Sequence, residues 1–183
     1  MSLLDIDDDL PTAHNGWRGK LETRSGLDVR VRPADEDDEA RLDEFFRHVT
    51  PEDLRFRFLS PIRTVSGDQL HALSHVDHRR TENFLAFDAG TNELIATAML
   101  AGDDGMQTAE VAMIMHRDYK GKGVGWSLLH HVARYAEARG FKTLTSIESR
   151  EHHPAIDMER EMGFTATSEP GDGSVIVLTK HLG

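Results

Sequence analysis

With 183 residues, no cysteine and a formal charge of −11, the chain is sized for one domain around one core, and it excludes disulfides and thiolate metal sites. No apolar run approaches the roughly 20 residues that cross a bilayer, and the acidic opening "MSLLDIDDDLPTAHN" is unlike the basic start of a signal peptide. An acidic balance argues against a nucleic-acid binder, which needs a basic face. The expectation is a cytoplasmic protein with no membrane or nucleic-acid partner.

Residues 1–15 read as an acidic flexible tail without periodicity, and 16–183 as a single domain. "KLETRSGLDVRVRPA" predicts two strands turning at Ser25-Gly26. "DEDDEARLDEFFRHV" predicts a helix, with acidic residues in its first turn and Leu42, Phe45, Phe46 and Val49 on its buried face. Pro51 opens a short helix, "PEDLRFRFL", and "SGDQLHALSHV" gives another. "NFLAF", "ELIATAML" and "AEVAMIMH" follow as strands. A helix runs from about Val124 to Arg139 with Val124, Leu128, Leu129, Val132 and Ala136 on one face, and Gly140 ends it. "KTLTSIE" is a strand, Pro154 suits the first turn of a helix that stops at Gly163, and a hairpin turning at "PGDG" closes the chain. The pattern predicts one α/β (α+β) domain on a mixed, mostly antiparallel sheet of about seven strands.

"YKGKGVGW", Tyr119 to Trp126, interrupts this regular pattern. Gly121, Gly123 and Gly125 occupy alternate positions where a helix begins, although glycine within a helix costs roughly 1 kcal/mol relative to alanine. The first turn of a helix leaves about four amides unpaired, and its dipole adds positive charge. Glycine lets an anion reach that backbone without meeting a Cβ. Lys120, Lys122 and Arg117 add local positive charge, so the loop fits a pyrophosphate-bearing cofactor. The P-loop pattern G-x-x-x-x-G-K-[ST] is absent. A dinucleotide-binding site is the rival, with Glu148 as its ribose acid. Against it stand the G-x-G-x-G spacing, the distance from the preceding strand and the lateness of the glycines in the chain.

"KGKGVG" resembles the R/Q-x-x-G-x-G/A motif of the GNAT superfamily of acetyl-CoA-dependent N-acetyltransferases, with Lys120 at the first position. "RPADEDDEARLDEFFRHVTPEDLRFRFLSPI" is similar to the first half of bacterial Pat-type protein-lysine acetyltransferases. The resemblance spans roughly Leu21 to Lys180. It implies a single GNAT-like domain whose central strands splay to admit a pantetheine arm, with acetyl-CoA as co-substrate. By that resemblance the backbone of Met113, Ile114 and Met115 pairs with the arm. The amides of Lys120, Gly121, Lys122, Gly123, Val124, Gly125 and Trp126 would then hold the pyrophosphate.

Acetyl transfer needs a neutral amine, yet lysine has a reference pKa of about 10.4, so the site must accept a proton. Glu110, in "TAEVAMIM", is the candidate, and the resemblance makes it the general base. Its bland alternative is a carboxylate capping an exposed strand end. His152 occupies the family's asparagine position, as a further cofactor contact, and Glu159 its usual tyrosine position. His71, His75 and His78 have helical spacing but lack the grouping a zinc site needs, so no metal is expected. The acceptor is read as a protein lysine. A small-molecule amine and a non-catalytic acyl-CoA sensor are the alternatives.

Overall fold

The computed structural model describes residues 17–168 and 172–183, so the acidic tail assigned to 1–15 lies outside the described residues, as does part of the "PGDG" turn. Eight strands and five α-helices are described, one strand more than the sequence count. The strands are β1 (Gly19–Glu22), β2 (Asp28–Pro33), β3 (Thr81–Asp88), β4 (Leu94–Gly102), β5 (Thr108–Met115), β6 (Thr143–Ser149), β7 (Thr165–Ser168) and β8 (Val175–His181). The helices are α1 (Glu39–Phe46), α2 (Pro51–Phe58), α3 (Gly67–Ser74), α4 (Val124–Ala138) and α5 (His153–Glu161). One sheet runs β1-β2-β3-β4-β5-β6-β8-β7, antiparallel throughout except for the parallel pair β5/β6. No helix among the described residues is long and apolar enough to cross a membrane.

The helix boundaries follow their caps. Thr50 accepts the Asp53 amide ahead of Pro51, and Ser66 and Gln69 form a capping box at α3. Gly140 and Gly163, at φ +91° and +95°, take the left-handed backbone that stops α4 and α5.

Both faces of the sheet are covered. On one, α4 and α5 pack against Phe84, Ala86, Val111 and Leu144, and all five apolar positions predicted for α4 are buried. On the other, α1, α2 and α3 cover Leu85, Phe87, Leu94 and Ile114. Successive residues of β3 therefore serve opposite cores, as the period-two geometry of a strand demands.

The feature that positions the site is a fork. The strands β5 and β6 pair only at Thr108↔Thr143, Ala109↔Leu144 and Glu110↔Thr145. Beyond Glu110 they diverge, leaving residues 111–115 of β5 and 146–149 of β6 without partners in each other. The splayed centre implied by the GNAT resemblance is present.

Candidate active site

A cleft of about 620 Å³ fills the fork and continues to the start of α4. Its far end is the glycine loop. Gly121 and Gly123 have φ of +77° and +81°, which other residues reach only at a cost. A Cβ on Gly123 would also stand 3.2 Å from the Arg24 amide nitrogen. Gly125 serves another purpose: a Cβ there would meet the Met115 methyl and the Met158 sulfur, each at 3.3 Å. Two glycines therefore shape the loop, and the third keeps β5, α4 and α5 close. The amides of residues 121–126 meet no hydrogen-bond acceptor among the described residues, and Lys120 to Trp126 line the cleft. Six amides without an acceptor among the described residues, at a helix N-terminus, form the kind of surface that anions bind.

Distant parts of the chain hold this loop. Ser25 Oγ donates to the Lys122 carbonyl (2.7 Å) and Ser127 Oγ to the Glu22 carbonyl (2.8 Å), tying the loop to the β1–β2 hairpin. The Arg24 guanidinium lies 3.9 Å above the Trp126 ring. Lys120 corrects part of the charge reading: its Nζ donates to Asp53 Oδ2 at 2.7 Å. That lysine is a strut between the loop and α2, and its charge is largely balanced. Arg24, one residue from the hairpin turn, is a cation the sequence reading did not assign to the loop.

Met113, Ile114 and Met115 lie on β5 beyond the fork, and all three line the cleft. Glu110 is the last β5 residue paired to β6, and its side chain is exposed. It stands at the closed end of the fork, outside the residues that wall the cleft. Arg57, half-buried one helical turn beyond Asp53 on α2, reaches the same region. Burial draws its proton affinity down, against the fields of Glu110 and Glu148.

Opposite, β6 and α5 supply a polar cluster of which the sequence analysis named three members without linking them. Ser146 Oγ donates to Glu148 Oε1 (2.9 Å) and His152 Nδ1 bonds Glu148 Oε2 (3.1 Å). The His152 ring stacks on Phe56 of α2, 4.4 Å between centroids. Glu159, 2% exposed, hydrogen-bonds Glu148 through its carboxyl group, but its Oε2 has no partner. Burial and the adjacent Glu148 charge push Glu159 up to about 9. Burial also works to raise Glu148, but hydrogen bonds from His152 and Glu159 outweigh it and hold Glu148 below the usual carboxylate range. One carboxyl is thus neutral and its neighbour ionised. A signal for Glu159 existed in the sequence: it follows Ile156 by three residues, on the apolar face of α5.

The histidines considered as metal ligands have other partners. His71 and His75 stack face to face at 3.7 Å, and the His75 Nδ1 lies 3.0 Å from the His71 carbonyl oxygen. His78 bonds the buried Glu82. His116 lies near His48 and Glu93, but its Nδ1 accepts the Asp118 amide. The ring proton therefore sits on Nε2, facing Glu93 Oε1 at 3.1 Å, where a metal would need the lone pair.

Comparisons with known proteins find relatives of the same fold. The model of the acetyltransferase (GNAT) family matches residues 42–164. Acetyltransferase PA5475 of Pseudomonas aeruginosa is 27% identical over 165 residues, which cover 88% of this chain and 87% of that protein. The crystal structure of the GNAT domain of S. lividans PAT superposes with a TM-score of 0.85 at 27% identity, covering 91% of this chain and 98% of that one. Spermidine N-acetyltransferase from Vibrio cholerae, solved with CoA and spermine, shares the fold with a TM-score of 0.68 at 18% identity, over 84% and 95% of the two chains.

Proposed function

The chain belongs to the GNAT acetyltransferase family, and from that premise we propose that it transfers acetyl from acetyl-CoA to a protein lysine, with Glu110 as general base. The observation that carries this reading is the continuity of one cleft from free amides at a helix N-terminus to a strand fork closed by a carboxylate.

In this reading the amides from Lys120 to Trp126, with Arg24 beside them, bind the diphosphate of the co-substrate. The unpaired edge of β5 at Met113 to Met115 bonds the pantetheine amides, satisfying donors and acceptors on both partners. The thioester then lies in the fork. Glu110, facing solvent, takes the proton from an arriving ammonium ion and passes it to water. The neutral amine attacks the thioester carbonyl directly, since the chain has no cysteine to form an acyl-enzyme. His152 enters as a cofactor contact through the ring nitrogen that does not face Glu148. The absence of cysteine also fits a reaction in the reducing cytoplasm.

A protein lysine is favoured over a small amine by the likeness to the S. lividans PAT domain over nearly that domain's whole length. Calorimetry with acetyl-CoA, followed by mass spectrometry of protein, peptide and small-amine acceptors, tests the reading. We expect binding and a 42-dalton gain (~42, one acetyl for one hydrogen) on lysine side chains. Binding without transfer to any acceptor would replace the enzyme with an acyl-CoA sensor. Transfer confined to free small amines would move the acceptor class.

A further inference from the structure

Glu110 removes a proton from the arriving amine, but acetyl transfer moves two more protons inside the fork. The tetrahedral adduct carries a positive nitrogen that must lose one, and the departing sulfur must gain one. Glu110 is exposed at the closed end of the fork and does not wall the cleft. The polar groups that do wall it on this side are Arg57 from α2, Ser146 and Glu148 from β6, and His152, Glu159 and the exposed Glu161 at α5.

We propose that Glu148 and Glu159 form a carboxylate–carboxyl pair that exchanges these two protons, Glu148 accepting from nitrogen and Glu159 donating to sulfur. This rests on the reading of the cleft as an acetyl-CoA site and deepens it. Three observations carry it. Glu148 and Glu159 are hydrogen-bonded to one another and both line the cleft. His152 and Ser146 each hold one oxygen of Glu148, which fixes it as the acceptor. Glu159, almost fully buried, keeps Oε2 without a partner. A buried carboxyl oxygen left unpaired costs stability unless something else engages it.

The step balances. The amine lone pair forms the C–N bond, and the carbonyl electrons move onto oxygen. Glu148 takes the proton from the positive nitrogen. As the C=O bond re-forms, the C–S bond breaks and its electron pair leaves with sulfur, which receives the Glu159 proton. The proton on Glu148 then crosses the shared hydrogen bond to Glu159. The pair ends with the single proton it began with, ready for the next turnover. Two carboxylates this close cannot both be ionised without large repulsion, so one proton is retained at neutral pH. Arg57 and His152 act on Glu148 and favour its charged form, and Glu110 acts on Arg57 as well.

The test uses Glu159→Gln, which keeps the size, the neutrality and a hydrogen-bond donor but has no proton to give. The acceptor is hydroxylamine, already neutral at neutral pH, with free thiol measured above the spontaneous reaction. We expect kcat to fall about a hundredfold while calorimetric affinity for acetyl-CoA stays within about twofold, the check that the variant folds. Glu148→Gln should lose a similar factor. Infrared difference spectra of wild type against Glu159→Gln at neutral pH should show one protonated-carboxyl band in the wild type alone. Wild-type turnover that Glu159→Gln retains within about threefold overturns the proposal and leaves the pair a structural clasp. Absence of the carboxyl band overturns it as well. If the wild type binds acetyl-CoA but releases no thiol with hydroxylamine or with any protein, peptide or small-amine acceptor, the acetyltransferase reading itself fails, and the proton exchange with it.

Discussion

The two ends of the cleft are built from different materials. The loop end offers main-chain amides at the start of α4, shaped by glycines and braced by Ser25, Ser127 and the Lys120–Asp53 pair. The fork end offers side chains from β5, β6, α2 and α5, with Glu159 buried and Arg57, Glu148 and His152 half-buried. Backbone recognition is indifferent to which side chains surround it and depends on conformation. Proton chemistry depends on the surroundings of individual carboxyl groups. Substitutions at the two ends should therefore fail differently: loop variants in affinity, fork variants in turnover.

The largest effect is expected at the fork. Glu110→Gln should lower kcat about a thousandfold with little change in acetyl-CoA affinity, measured by steady-state kinetics beside calorimetry. An equal loss of affinity would mean that Glu110 shapes the site and does no proton chemistry. At the loop, Gly123→Ala puts a Cβ at φ +81° and 3.2 Å from the Arg24 amide. Left-handed backbone alone costs a non-glycine residue roughly 1–2 kcal/mol, so the acetyl-CoA Kd should rise about tenfold while kcat at saturation holds. A fall in kcat with unchanged Kd would erase the division between the two ends.

The third contrast is in pH. Glu159 is neutral in the folded protein up to about 9, but in the unfolded chain it ionises near the ordinary glutamate value of about 4.3. Between those values the folded state holds a proton that the unfolded state has lost, so this group makes stability fall as pH rises. Glu159→Gln removes that dependence. Its Tm relative to wild type should climb from about pH 5 to about pH 8, followed by thermal denaturation across buffers. A constant difference would place Glu159 among ordinary ionised glutamates. The smallest effect belongs to Asp53→Asn. The partner Lys120 is 47% exposed, so the pair contributes about 0.5 kcal/mol or less, and acetyl-CoA affinity should weaken only about twofold. A much larger loss would show that Asp53 orders the loop as well as anchoring it.

The same division explains what the sequence disclosed. The loop was legible because glycine is penalised at the start of a helix, so three alternate glycines demand a reason that lies in local backbone. Strands and helices were legible from their periods, including the five buried positions of α4. The reason for Gly125 was not, because Met158 is brought to it by tertiary packing. Likewise nothing local links Asp53 to Lys120, or Arg24 to Trp126, across such separations in the chain. Glu148 reads in sequence as a possible ribose acid and Glu159 as a departure from a tyrosine. Only their meeting across β6 and α5 pushes their proton affinities apart. Glu110 stood out as a carboxylate among apolar strand residues, and its place at the last rung of β5/β6 pairing is a fact of register.

Three rungs between β5 and β6 also have a mechanical consequence. The sheet is two panels, β1 to β5 and β6 to β8, sharing a short seam at one end and parting at the other. A guest that bonds the free β5 edge and wedges against β6 would act as the missing lath between the panels. Occupancy should then stiffen the whole domain and slow amide exchange along both strands well past the residues it touches. The substrate would be, while it stays, part of the protein's frame.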